Sequence, residues 1–131
     1  MKLFTFRLTP GTDLKHEREG FVAREKLDPA FINTCVGSLT VAAIRFAGKS
    51  ETNSVAGPLE ITSLTGTFSV QGSHFHITVT DENGKAIGGH LKEGSIVRTT
   101  AELVVGTHDE VVYMREKDAV SGYMELKVVS K

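Results

Sequence analysis

The stretch HFHITVTDENGKAIGGHL, residues 74–91, carries three of the five histidines of this 131-residue chain. Its first half alternates strictly: His74, His76 and two threonines occupy one set of positions, and apolar residues occupy the other. The return segment KAIGGHL repeats this alternation up to His90. Successive side chains of a strand point to opposite sides, so such alternation is typical of strands with one buried face. The stretch therefore predicts a β-hairpin.

Two turns fit between these strands, and they distribute the histidines differently. A two-residue turn at 83–84 places His90 opposite Ile77, on the apolar face, and scatters the three histidines. A three-residue loop at 82–84 places His90 directly opposite His76. Register follows the pairing that keeps the apolar face intact, and this condition favours the three-residue loop.

Two glycine features bear on the same choice. Hairpins with three-residue loops favour a residue with positive φ at the last loop position, which is Gly84 in this register. Thr78 then faces Gly88, and we expect the Gly88-Gly89 pair to leave open space beside His90. A β-bulge at that pair would shift the register again.

The predicted register gathers His74, His76 and His90 on one face of the sheet. Three neutral imidazoles can hold Zn²⁺ or a similar divalent metal and leave a coordination position for water or substrate. The alternative is that the histidines line a polar, solvated face with the neighbouring threonines. His16 and His108 occur in charged segments, and we predict that both are exposed and have no role.

The rest of the chain predicts an α+β fold. Pro10-Gly11 ends the first strand, Thr12 is a candidate N-cap, and a helix is expected to run to about Lys26. Repeated short strands follow, which favours a largely antiparallel sheet with one main helix near the N-terminus. We predict a single domain spanning 1–131. Besides the hairpin, strands are predicted at 3–8, 31–36, 39–46, 59–64, 67–70, 96–105, 111–115 and 123–129.

The composition excludes several classes of protein. With 15 basic and 16 acidic residues the net charge is −1, so no overall charge directs the molecule to nucleic acid or an anionic membrane. The apolar runs are too short for a transmembrane helix. The N-terminus lacks the features of a signal peptide, and Cys35 is the one cysteine, which we predict to be buried. A cytoplasmic location is the simplest expectation.

Two acidic residues stand in strand-like, apolar surroundings. They are Glu60 in GPLEITSL and Glu102 in TTAELVV. Either carboxylate could orient a metal-bound histidine or act as a general acid or base in an enzyme. The alternative is a carboxylate at the rim of the sheet, paired with Arg45 or Arg98.

Several segments together resemble the "plants and prokaryotes conserved" (PPC, DUF296) domain family over nearly the whole chain. They are PGTDL, CVGSL with AAIRF, GPLEITSLTGTFS, HFHITVTDENGKAIGGHL and GSIVRTTAELVV. The resemblance implies an antiparallel α+β fold that assembles as a homotrimer. Its histidine motif, carried over to this sequence, gives His74, His76 and His90 as metal ligands. The fold is also similar to that of acetolactate decarboxylase, a zinc protein, although a fold alone does not transfer chemistry.

Three functions are therefore open. The first is a stand-alone homotrimeric PPC module, associated with DNA and bearing a histidine-lined site for zinc, another divalent metal or a small-molecule ligand. The second is a metal-dependent lyase or hydrolase that acts on a small organic acid, with Glu60 or Glu102 moving protons. The third is a direct DNA-binding regulator. In plant members the AT-hook core R-G-R-P contacts DNA, and this chain contains no such core.

Overall fold

A computed structural model describes residues 1–26 and 28–131, and of residues 18, 19 and 22 it describes the backbone alone. These residues form one helix and eight strands. In chain order they are β1 (Lys2–Leu8), α1 (Leu14–Glu25), β2 (Ala30–Arg45), β3 (Asn53–Ser69), β4 (Gly72–Thr80), β5 (Ala86–Leu91), β6 (Ile96–Thr107), β7 (Val111–Lys117) and β8 (Met124–Ser130).

Six of the strands form an antiparallel sheet in the order β1-β6-β2-β3-β4-β5. Strand β5 also pairs with the end of β2, through Ile44↔Leu91 and Arg45↔His90. Strands β2, β3, β4 and β5 consequently close into a ring, and β6 and β1 extend the sheet from the earlier part of β2. The prediction of a mostly antiparallel sheet with little helix is confirmed.

The core lies inside the curved sheet. Phe68 of β3 and Phe75 of β4 are almost fully buried, and their ring centroids lie 5.2 Å apart. The apolar positions of the other strands pack around them, while the polar set of β4 and β5 remains on the outer face. The other large and fully buried side chains are Leu14, Leu39, Ile44, Leu59, Ile77, Val79, Leu91, Val97 and Leu103.

Two strands are longer than predicted. The sequence predicts separate strands at 31–36 and 39–46, broken at Gly37, but β2 runs without interruption through this glycine. A Cβ at Gly37 would lie 2.1 Å from the carbonyl oxygen of Thr100. The glycine therefore admits the backbone of β6 instead of ending the strand. Gly66 has the same role in β3, where a Cβ would lie 2.3 Å from the carbonyl oxygen of His74 in β4.

The N-cap of the helix lies one residue later than predicted, and α1 itself begins at Leu14. Asp13 caps it, because its Oδ1 accepts hydrogen bonds from the backbone N–H groups of Lys15 and His16 at 3.0 Å each. The hydroxyl of Thr12 donates instead to the carbonyl oxygen of Thr9. None of the described helices is long and apolar enough to span a membrane.

Strands β7 and β8 form a separate two-stranded ribbon. Arg115 ties it to the main sheet, since its backbone N–H donates to Oε1 of Gln71 at 3.0 Å. Three large apolar side chains alternate along β8 and are exposed to solvent. They form what we call the apolar stripe: Met124, Leu126 and Val128.

Candidate metal centre

The histidine hairpin folds in the predicted register. His76 pairs with His90, Thr78 with Gly88 and Val79 with Ile87. The predicted three-residue loop is confirmed and so is its final glycine, because Gly84 has a φ of 75°.

Asp81 holds this loop closed. Its backbone N–H donates to the carbonyl oxygen of Lys85 at 3.1 Å. Its Oδ1 accepts hydrogen bonds from the backbone N–H groups of Asn83 and Lys85 at 2.9 Å each. Such side-chain to backbone bonds are the usual stabilising contacts of Asx turns.

The three side chains meet on the outer face of the sheet and form what we call the histidine cluster: His74, His76 and His90. One ring nitrogen of each lies within 4.8 Å of the others. The closest pair is Nε2 of His74 and Nε2 of His76, at 3.1 Å. At these distances, small rotations of the side chains would let all three nitrogens bind one ion.

The surroundings of the histidine cluster favour neutral imidazole. Burial lowers the pKa of His90 to about 4, and the charges of Arg45, His74 and Lys92 act in the same direction. Burial also lowers the pKa of His74, assisted by the charges of His76 and Arg115. Neutral imidazole is the form that binds metals, so protons compete weakly for these two ligands near pH 7.

The lowered pKa of His90 predicts a pH dependence of stability in chelator-treated protein. The unfolded chain takes up this proton near pH 6.5 and the folded chain only near pH 4. The contribution of His90 to the free energy of unfolding is therefore fully present above pH 6.5 and is lost as pH falls to about 4.

Urea midpoints measured at pH 7, 5.5 and 4 should show a shallower acid loss in His90→Gln than in wild type. His16→Gln, on the exposed side of α1, is the matched control and should follow wild type. If the urea midpoints of wild type and His90→Gln fell equally between pH 7 and pH 4, the lowered pKa of His90 would be contradicted.

One polar atom of the cluster has no partner. Nδ1 of His90 is buried, and it neither accepts nor donates a hydrogen bond within the part of the chain that the structure describes. An unpaired buried nitrogen costs free energy. A donor set of three imidazoles with an unpaired nitrogen fits a divalent metal of the zinc type.

Comparison with known proteins places the chain in a family. The model of the Plants and Prokaryotes Conserved domain matches residues 1–109. The chain belongs to this family. The matched segment includes the whole PPC histidine cluster and ends before the β7–β8 ribbon.

Relatives of this PPC chain differ in size. A Synechococcus bifunctional protein GlmU is 38% identical over 128 residues, which is 98% of this chain. The chain spans about one fifth of the length of that relative, at 21%.

Solved structures match over nearly the full length. A hypothetical protein from Salmonella is 40% identical with a TM-score of 0.97, covering 99% of this chain and 94% of that one. A metal-containing protein from Archaeoglobus fulgidus is 27% identical with a TM-score of 0.79, covering 97% and 94%. A Bacteroides thetaiotaomicron protein, provisionally described as DNA-binding, is 22% identical with a TM-score of 0.85, covering 95% and 91%.

Charged residues outside the hairpin lie around the histidine cluster of this PPC chain, and the sequence did not predict that they would lie there. Arg45 of β2 lies directly opposite His90 of β5 in the strand pairing. Arg115 of β7 reaches Oγ1 of Thr67 at 3.5 Å, and Thr67 pairs with His74. Glu125 of β8 is close enough to act on His74 in the opposite direction to the cations. No local motif signals these neighbours, because each comes from a different strand.

The two predicted carboxylates lie away from the cluster. Glu60 pairs with Thr80, which is four residues along β4 from His76, or about 13 Å at the rise of a strand. Glu102 pairs with Val36, nine residues from Arg45 along β2, roughly 30 Å of strand. Both side chains are exposed, so neither reaches the histidine cluster within one chain.

Two smaller expectations need correction. The Gly88-Gly89 pair leaves no open space, since a Cβ at Gly88 would lie 2.7 Å from the carbonyl oxygen of Ile77 and 2.9 Å from Oγ1 of Thr78. His108 is partly buried, not exposed, and its Nε2 lies 3.4 Å from the hydroxyl of Tyr113.

Proposed function

We propose that this PPC-domain protein binds a divalent metal, zinc or a similar ion, through His74, His76 and His90. The observation that carries the proposal is the convergence of three imidazole nitrogens within 4.8 Å. Two nitrogens of a tetrahedral zinc site lie about 3.3 Å apart, given bonds of about 2.05 Å. The 3.1 Å between His74 and His76 agrees with that spacing. The metal-containing Archaeoglobus relative supports the same assignment.

Metal content tests this proposal directly. Protein purified without a polyhistidine tag or chelator should carry close to one equivalent of metal per chain by elemental analysis. His76→Ala should lose it, because two imidazoles are a poor site for zinc. His16→Ala, which removes an exposed histidine of α1, should retain it. Absence of metal in wild type after incubation with zinc would overturn the proposal.

The proposal includes assembly as a homotrimer. The family resemblance supports it, and so does the apolar stripe: the side chains of Met124, Leu126 and Val128 are between 39% and 58% exposed. Exposed apolar patches of this kind often mark protein interfaces.

Light scattering at micromolar concentration should give about three times the 14.2 kDa chain mass. The double variant Leu126→Lys/Val128→Lys should lower the mass, because charge would be buried in the contact. Lys127→Ala, between these two positions in β8, is the control and should leave the mass unchanged. A monomer mass in wild type would exclude the trimer.

A DNA-associated role is the less supported part of the proposal. It draws on the Bacteroides relative, whose likeness concerns the fold, and the net charge of −1 does not favour it. Contacts to phosphates weaken steeply as salt rises. A titration with duplex DNA at low and high salt therefore tests this role, and absence of binding at low salt would remove it.

We propose the cytoplasm as the location of the protein.

A metal-dependent lyase or hydrolase for a small organic acid is the second candidate function. The position of the histidine cluster on an outer face favours it, because a ligand can approach His74 and His76 from solvent. A bound divalent metal would polarise a carbonyl or lower the pKa of a water molecule. Within one chain, the charge of Glu125 acts on His74, whereas Glu60 pairs with Thr80 farther along β4. Glu125 is therefore the candidate carboxylate for moving a proton.

A further inference from the structure

A rim of cationic side chains surrounds the histidine cluster. Arg45, His90 and His76 form one continuous row across β2, β5 and β4, because each pairs with the next. Side chains that are directly opposite in neighbouring strands lie within about 5.5 Å at Cβ. Lys92 lies just beyond the end of β5, and its positive charge acts on His90 together with that of Arg45.

Arg115 completes the rim from the other side. Its Nη2 lies 3.5 Å from Oγ1 of Thr67, whose strand partner is His74. It belongs to the β7–β8 ribbon, which lies outside the segment matched by the family model. The ribbon therefore brings a guanidinium to a site otherwise built by the main sheet.

These charges conflict with a metal ion bound by histidines alone. Neutral imidazoles bring no negative charge, so a divalent cation would remain unneutralised beside Arg45, Arg115 and Lys92. The negative charge of Glu125 partly offsets these positive charges. Its carboxylate also accepts a hydrogen bond from the hydroxyl of Ser121 at 3.0 Å. Like charges close to one another near a protein surface repel. An anion at the metal would remove the conflict.

We propose that the metal-loaded histidine cluster binds a small oxyanion, a carboxylate or a phosphate. One oxygen of the anion would take the open metal position, and the guanidinium groups of Arg45 and Arg115 would pair with its remaining charge. Guanidinium suits this role because its planar N–H donors match the oxygens of carboxylate and phosphate. This inference rests on the proposed metal site and names the class of ligand for it.

The side chains have the donors that this role requires. Nη1 of Arg45 donates to the carbonyl oxygen of Lys49 at 3.0 Å, and a guanidinium carries five N–H groups in all. Both arginines are partly exposed, so an anion can approach them from solvent. The bond to Lys49 also holds the Arg45 side chain in place before a ligand arrives.

Cobalt-substituted protein provides the test, since the visible spectrum of bound Co²⁺ changes when a ligand enters its coordination shell. The probes are acetate, inorganic phosphate and neutral imidazole, each titrated into wild type, Arg45→Gln, Arg115→Gln and Arg7→Gln. Arg7 lies on β1, where its guanidinium contacts Thr99 and Thr100, so it is the control.

Acetate or phosphate should change the spectrum of wild type, and its affinity should fall about tenfold in Arg45→Gln and in Arg115→Gln. Arg7→Gln should match wild type. Imidazole should bind equally to all four proteins, because it carries no charge for the arginines to pair with. Tighter binding of acetate would identify the ligand as a carboxylate, and tighter binding of phosphate would identify it as a phosphate.

Two results would overturn the inference, and they differ. If cobalt binds but neither anion changes the spectrum, or if both anions bind equally to all variants, the anion site is wrong and the metal site stands. If cobalt does not bind to wild type, the metal site fails and the anion site fails with it.

Discussion

Replacing Phe75 with alanine is expected to lower the free energy of unfolding by about 3–5 kcal/mol, the range for removing a buried phenylalanine. The side chain is 1% exposed. It packs against the ring of Phe68 at 5.2 Å between centroids, and it lies against Gly66 of the neighbouring strand. The closed ring of four strands cannot collapse easily onto the vacated volume, so we expect the upper part of the range. Urea unfolding of both proteins measures the difference.

Val70→Ala is the matched control, because Val70 lies just beyond β3 with 73% of its surface exposed. It should cost less than about 0.5 kcal/mol. Phe75 also stands between His74 and His76 and anchors the opposite face of the same strand. We therefore expect Phe75→Ala to weaken metal binding as well as stability. A loss below about 1 kcal/mol would mean that this face of β4 is not packed as the structure shows.

The hairpin could be predicted from sequence because two independent requirements agree there. Only one register keeps Phe75, Ile77 and Val79 on the same face as the return strand's apolar residues, and that register places Gly84 where a positive φ is needed. Both requirements are local, lying within eighteen residues. The pairing of His76 with His90 follows from them.

The strand breaks at Gly37 and Gly66 were wrong for the opposite reason. A glycine that ends a strand and a glycine that admits a neighbouring backbone look identical in a single sequence. What distinguishes Gly37 is the carbonyl oxygen of Thr100, which is 63 positions away in the chain. The distinction depends on which strand lies alongside, and that information is not local.

The neighbours of the histidine cluster could not be predicted for the same reason, because they come from distant parts of the chain. Arg45 joins it only because the sheet curls until β5 meets β2. Arg115 joins it only because the β7–β8 ribbon folds back beside Thr67. Glu60 and Glu102 were selected for their apolar surroundings in sequence, yet both point outward on strands that pass the cluster at a distance. Their proposed catalytic roles stay predictions that one chain does not support.

Gly89→Ala is expected to weaken metal binding by about 100-fold while His74, His76 and His90 are all retained, at the upper end of what supporting residues of a metal site contribute. A Cβ at Gly89 would lie 2.6 Å from the carbonyl oxygen of Arg45 and 2.8 Å from Cγ2 of Ile44. The first contact is with backbone, and β2 is held by β3 and β6, so β5 must move instead. His90 would move with it, away from the other two ligands.

Gly84→Asn is the control in the same hairpin. A Cβ at Gly84 meets nothing within 4 Å, and asparagine tolerates its φ of 75° better than most residues. Zinc affinity measured by competition with a chelator should match wild type in this variant and fall in Gly89→Ala. Unchanged affinity in Gly89→Ala would mean that the seam between β5 and β2 does not position His90. Metal binding would then depend on the hairpin alone, and Arg45 would lose its fixed place beside the cluster.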